Sequence, residues 1–265
     1  MSQSAYDMFS LDYDQFVNWE ERLKTELPFL VNQFDRNKSK PRREQHILDA
    51  ACGTGRHTIA LAEAGFRMSG ADASEGMIRR ARETAQNAES AIDFQPAAFG
   101  ILRKTFKNRK TFPFNGLMCL GNSLPHAQSK ADISSTLKDF AACLQTDGIL
   151  ILQLLNYEKI MREKQRWLEP QSHLSECRET VFMRFYDFLP NGLIDFNIVI
   201  LRRAKEEKWT QRQLSTRLYP IPVKELQHML AQAGFSEIRT YAGMTTQPFS
   251  RVHDDTLVII AQKDK

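Results

Sequence analysis

Apolar positions recur in two rhythms along this chain. Over residues 1–35 they fall at helical spacing, with Phe16, Trp19, Leu23, Leu27 and Leu30 on one stripe. Residues 36–45 are polar, contain Pro41 and read as a linker. From Ile47 onward, short apolar runs at 46–50, 66–71, 92–96, 116–120 and 148–155 alternate with amphipathic segments at 57–64, 74–89 and 133–145. This alternation predicts a parallel sheet with helices on both faces. Ser74 is placed to cap the second of these helices, with Met77, Ile78 and Ala81 as its apolar face. Beyond Tyr157 the alternation stops. Runs at 181–189, 193–201 and 209–219 are strand-like, and Asn191-Gly192 supplies a hairpin turn between the first two. Ile194, Phe196, Ile198 and Ile200 alternate with more polar neighbours, which buries one face of the middle strand. A helix at 223–233 and strands at 237–241 and 256–261 complete the pattern. Three parts are expected: a helical cap over 1–45, a main domain over 46–156 and 220–265, and an antiparallel insertion over 157–219.

Composition narrows the function classes. With 265 residues, 42% of them hydrophobic, the chain has enough apolar surface for one elaborated domain. The net charge of +4, from 36 basic and 32 acidic residues, is too small and too dispersed for a nucleic-acid partner. The basic runs at 38–43 and 103–110 read as solvated loops. Cys52, Cys119, Cys143 and Cys177 form no CxxC pair and no metal-ligand spacing, so no metal site is expected; Cys52, Cys119 and Cys143 sit in apolar segments and read as small buried hydrophobes in a reducing compartment. No leader-like segment and no apolar run of bilayer length is present, so the expected setting is the cytoplasm, away from membranes.

The most specific chemistry lies in Asp49-Ala50-Ala51-Cys52-Gly53-Thr54-Gly55, between the first strand and first helix of the alternation. Glycine at such a turn lets backbone approach a bound nucleoside. A dinucleotide fingerprint requires a third glycine, and Thr58 stands there. No G-K-[ST] follows, so this is not a P-loop either. Asp72 ends the second strand about twenty residues on, where a carboxylate accepts from two ribose hydroxyls.

Asp49–Gly55 together with Gly70-Ala71-Asp72-Ala73-Ser74 resembles motif I and the ribose acid of class I S-adenosylmethionine (SAM)-dependent methyltransferases. Gln145-Thr146-Asp147-Gly148 and Ala233-Gly234-Phe235 look like that family's approaches to its fifth and sixth strands, so the likeness spans nearly the whole chain. Gly121-Asn122-Ser123 with His126, and Asn156-Tyr157 after the next strand, resemble the glycine and glycine/sarcosine N-methyltransferase branch, as do Asp12-Tyr13-Asp14 and Trp19. The resemblance implies an α/β fold with a Rossmann-like seven-stranded, mostly parallel sheet and SAM as cofactor. It places Asp49, Ala51, Gly53, Gly55, Asp72, Ala73, Met77, Ala98, Phe99 and Leu120 around that cofactor. Ala98 stands where an adenine-binding acid is common, and Phe99 where an aromatic covers the ring. In that branch an Asn and an Arg hold the acceptor's carboxylate. Asn122 matches the first, but Leu155 replaces the second, and leucine offers none of a guanidinium's charge-matched grip. Glycine is therefore not the expected acceptor. By analogy a homo-oligomer is expected.

Methyl transfer from a sulfonium needs alignment more than a metal or a covalent nucleophile. Proximity and orientation supply about 7–11 kcal/mol of such a barrier. Asn122, His126, Tyr157 and Tyr13 are the residues expected to line the methyl site, with His126 as a candidate base. Arg184, Tyr186, Arg202 and Arg203 in the insertion are candidates for replacing the missing grip. The leading expectation is N-methylation of a small amine. A small-molecule O-methyltransferase and a SAM-binding regulator without turnover are the alternatives.

Overall fold

The computed structural model describes residues 10, 13–14, 17–36, 40–88, 91–110, 112–175, 177–205 and 207–265. Helix α1 (Trp19–Arg36) precedes a 3-10 turn (Arg42–Glu44) and strand β1 (His46–Asp49). There follow α2 (Arg56–Glu63), β2 (Arg67–Asp72), α3 (Glu75–Asn87), β3 (Asp93–Pro96), α4 (Leu102–Phe106) and β4 (Phe114–Cys119). A 3-10 turn (Leu124–His126), α5 (Lys130–Cys143), β5 (Leu144–Leu155) and α6 (Tyr157–Glu163) lead into four consecutive strands. These are β6 (Trp167–Leu174), β7 (Arg178–Phe188), β8 (Ile194–Ala204) and β9 (Thr210–Leu218), and α7 (Val223–Gln232), β10 (Phe235–Ala242) and β11 (Thr256–Lys263) complete the order.

Seven strands form one sheet in the order β10-β11-β5-β4-β1-β2-β3. All run parallel except β11, which is antiparallel to both neighbours. Strand alternation divides the core into two faces. Ile47, Met118, Ile151 and Val258 pack under α1 with Phe29, Leu30 and Phe34. Leu48, Leu117, Leu150, Leu152 and Ile259 turn to the other side, against Phe106, Leu137, Phe140, Leu226 and Leu230 of α4, α5 and α7. The α/β sheet with its antiparallel insertion is the expected fold.

Four local expectations change. The buried face of α1 is Glu26, Phe29, Leu30, Gln33 and Phe34, so Leu30 alone of the expected stripe is fully buried. Two buried polar residues one heptad apart disguise the true face, and Phe16 lies outside the described residues. The helix expected at 133–145 stops at Cys143, because β5 begins at Leu144 opposite Phe114 and bulges through Asp147-Gly148. The insertion has four strands rather than three. Strand β6 carries Pro170 and mostly exposed side chains, so it lacks the alternation that marks its neighbours. Part of the basic run at 103–110 is helix α4, anchored by Asp139, whose carboxylate accepts from the backbone N–H groups of Leu102 and Arg103.

Gly70 lies inside β2 where Phe94 of β3 crosses it. A Cβ there would sit 2.5 Å from Phe94 Cδ1 and 3.1 Å from Cys52 Sγ. Both neighbours are buried, so neither has room to yield. Gly70→Ala is expected to cost about 1–3 kcal/mol in urea unfolding. An unchanged midpoint would show that this layer repacks freely.

Candidate active site

The chain order reverses between β4 and β1, and open α/β sheets bind ligands outside the carboxyl ends of strands at such a point. The turn after β1 is held by two neighbours: Ala50 N–H donates to the Met118 carbonyl (2.8 Å) and Cys52 N–H to that of Ala71 (2.9 Å). Gly53 (φ 54°) and Gly55 (φ 79°) then take the left-handed conformation that lets the turn double back into α2. Asp72, at the end of β2, closes the loop. Its Oδ2 accepts from Gly53 N–H (3.0 Å) and its Oδ1 from Ser74 N–H (2.9 Å). Ser74 Oγ caps α3 by accepting from Met77 N–H (3.1 Å), so one short stretch starts a helix and orients the carboxylate.

Beneath the turn, Asp49 is completely buried and accepts from Thr58 Oγ1 (2.8 Å). Burial pushes its carboxyl up to about 6. Thr58, which breaks the dinucleotide pattern, thus serves as the hydrogen-bond donor to the motif's acid.

A charged network joins α1 to the sheet. Burial opposes ionisation of Glu26, but hydrogen bonds from His57 Nε2 (2.6 Å), Arg22 Nε (3.0 Å) and Gln153 Nε2 (2.7 Å) outweigh it and hold the carboxyl at about 2. Gln153 Oε1 in turn accepts from Gly121 N–H (2.9 Å) and Arg22 Nη2 (3.2 Å). Upstream, Asp14 accepts from Trp19 Nε1 (3.0 Å) and Thr54 Oγ1 (2.7 Å) and pairs with Arg56 (3.0 Å). These contacts lay the N-terminal segment across the glycine turn.

On the other side, Asn122 sits just past β4 with φ 63°. Its Oδ1 accepts from Leu155 N–H (3.1 Å) and its Nδ2 donates to the Tyr157 hydroxyl (2.8 Å). Asn156 caps α6 and donates to the carbonyls of Arg251 (3.0 Å) and Asp254 (2.7 Å), stapling a distant loop to the end of β5. His126 Nδ1 lies 3.2 Å from Thr216 Oγ1 on β9, and burial holds this imidazole down at about 4.

These groups surround one cavity of about 410 Å³. Of the expected site residues, Tyr13, Ala51, Gly53, Asp72, Ala73, Met77, Phe99, Asn122 and His126 line it. Asp49, Gly55, Leu120, Ala98 and Tyr157 do not. Gly55 packs against Phe94, and Leu120 faces α1 with the alternate residues of β4. Ala98 is exposed; the chain leaves β3 with the buried Ala97 turned to the cavity instead. Tyr157 is buried against Tyr186 and Leu218 and reaches the site through Asn122. Asp12 lies outside the described residues. Of the insertion residues, Arg184 and Tyr186 line the cavity, whereas Arg203 pairs with Glu179 (2.7 Å). Arg22, Glu26 and Gln153 are lining residues that sequence reading missed. Arg22 and Glu26 stand at helical i,i+4 spacing, which was the available signal, yet spacing alone does not separate a solvated pair from one aimed at the sheet.

Residues 47–148 match the family model described as a methyltransferase domain. The chain is 28% identical over 252 residues to glycine/sarcosine N-methyltransferase of Aphanothece halophytica, covering 95% of this chain and 87% of that protein. The fold matches that of an S-adenosylmethionine-dependent methyltransferase from Clostridium acetobutylicum, with TM-score 0.77, 15% identity, and 98% and 99% of the two chains covered. It also matches a SAM-bound amino pentose methyltransferase from Micromonospora echinaspora, with TM-score 0.68, 14% identity, and 97% and 96% covered.

The depressed carboxyl of Glu26 has a pH signature. Its contribution to stability is fully present above the ordinary value of 4.5 and is lost as pH falls towards about 2. Glu26→Gln is expected to flatten the loss of denaturant stability across that window, by on the order of 3 kcal/mol at most. A wild-type acid slope in the variant would remove Glu26 from this role.

Proposed function

We propose that the chain is a class I SAM-dependent methyltransferase that moves the SAM methyl group to the nitrogen of a small amine by direct in-line displacement. The observation that carries this reading is the Asp72 carboxylate, fixed by two loop N–H groups at the switch point, in one cavity with Asn122. The residues present fit the cofactor. A Cβ at Gly53 would project to 3.6 Å from Tyr13, into space that the glycine leaves to the cavity. Asp72 would hold the ribose hydroxyls, Met77, Ala97 and Phe99 would pack on the base, and Arg22 and Glu26 offer opposite charges to an amino-acid end.

SAM supplies a methyl group already activated by its sulfonium. The chain's own work is to orient and to exclude water. Asn122 is held rigidly by Leu155 N–H and Tyr157, which presents its carboxamide in one orientation. An amine that arrives unprotonated needs no base. His126, near 4, is roughly six units too weak to deprotonate an alkylammonium and shapes the pocket instead. We further propose that residues 1–45 and 157–219 act as the two covers of a main domain formed by 46–156 and 220–265. Tyr13 and the insertion residues Tyr186, Phe196 and Ile198 in the cavity wall support that division.

Asp72→Asn is expected to weaken SAM binding in titration calorimetry by at least about tenfold, since a charged acceptor is replaced by a neutral one. Wild-type protein incubated with methyl-labelled SAM and a panel of small amines is expected to give labelled N-methyl product. Failure of the wild-type protein to bind SAM would overturn the reading.

A further inference from the structure

Strands β7 and β8 carry apolar side chains on both faces. Phe182, Tyr186, Ile198 and Ile200 are buried on the side of the cavity. Successive side chains of a strand point to opposite faces, so Val181, Met183, Phe185, Val199 and Leu201 point the other way. Register joins these into one patch: Val181 pairs with Leu201, Met183 with Val199, and Phe185 with Trp167 of β6, which is 56% exposed. The Trp167 and Phe185 rings lie 5.0 Å apart. Among the described residues, none of these six belongs to a buried apolar cluster or packs against one.

An antiparallel sheet with one solvated face is polar on that face. Strand β9 conforms, with Gln211, Gln213, Ser215 and Arg217 beside the outward row of β8. Strands β7 and β8 do not, and a contiguous apolar patch with a polar rim marks an interaction surface. The rim carries three ion pairs. Arg203 binds Glu179 (2.7 Å) at one end, and Arg166 binds Asp187 (2.8 Å) and Arg217 binds Asp195 (2.8 Å) at the other. Each end is therefore neutral, which gives an acidic peptide, a nucleic acid or an anionic membrane nothing to prefer. A second copy of the same face meets no excess of like charge, whichever ends are brought together.

We propose that this outer face is the interface of a homodimer, in which the four-stranded sheets of two copies pack face to face as the halves of a β-sandwich. The area suits that partner. Four strands, the longest of 11 residues, make a face of about 37 by 19 Å, on the order of 700 Å². A standard protein–protein interface takes about 800 Å² from each partner. Pairing edge to edge through β6 is disfavoured, because Pro170 lacks a donor and the register shifts between Leu168 and Gln171. Tyr186 and Ile198 of the cavity wall stand one residue along from Phe185 and Val199, so the partner braces that wall from behind.

The test is sedimentation equilibrium of the full-length protein, which needs no methyl transfer. Wild type at about 20 μM is expected at twice the chain mass. Val199→Lys and Met183→Glu, made separately, each place a charge at the centre of the patch and are expected to raise the dimer dissociation constant at least about a hundredfold. Thermal melting followed by circular dichroism identifies which variants fold. Carbene labelling of wild type supplies a readout that needs no variant. Trp167 is expected to stay unlabelled while Val252, equally exposed at 56% in the single chain, is labelled. Wild type at one chain mass overturns the dimer. So does a dimer that survives in both folded variants, or one in which Trp167 is labelled as heavily as Val252, since either places the contact elsewhere. A monomer that floats with phosphatidylcholine vesicles overturns it too and gives the face to a lipid surface.

Discussion

A single buried carboxylate holds this architecture together. Glu26 sits on the face of α1 that meets the sheet, where an isolated charge would cost several kcal/mol. Three donors offset that cost, and each comes from a different place: Arg22 from its own helix, His57 from α2, Gln153 from β5. Gln153 then passes the constraint to Gly121, and Gly121 adjoins Asn122. The N-terminal helix, α2 after the glycine turn and the Asn122 side of the cavity are therefore coupled through four side chains. The apolar contacts of Phe29, Leu30 and Phe34 glue α1 down. The charged network decides where along the sheet it is glued.

Much of the fold is legible in the sequence because strands and helices of the main sheet carry strong, simple periodicities. The glycine turn and Asp72 are legible for a different reason, namely that backbone geometry there demands particular residue types. What escapes reading is polar and buried. Glu26 looks like a solvent-facing residue until His57 and Gln153, both remote in sequence, are seen to bond it, and Gln33 gives no sign in the sequence that it is buried. Strand β6 escapes because an edge strand with exposed side chains has no burial pattern to display. Asn122 and Asn156 show the limits of motif reading. Both sit in segments that resemble a substrate site, yet Asn156 spends its side chain on a helix cap and two loop carbonyls, and Asn122 alone faces the cavity.

The insertion changes what the cavity is. Strands β7, β8 and β9 bring Tyr186, Phe196, Ile198 and Leu218 into the wall of the cavity that Asn122 also lines. Docking of that wall rests on few polar contacts: Tyr219 N–H to the Pro125 carbonyl (2.8 Å), and the approach of His126 to Thr216. Tyr157 and Ile160 of α6 supply the apolar seam.

The place of β11 has a consequence for how the protein is made. It lies between β5 and β10, although 100 residues separate its first residue from the end of β5. During synthesis, β5 emerges with one edge lacking its permanent neighbour, and the four strands of the insertion emerge before that neighbour exists. Those strands pair only with one another and can form early, as a local meander. The large sheet closes last, when residues 256–263 pair with β5 and give β10 its one neighbour in the sheet. Until then the β5 edge is open to mispairing.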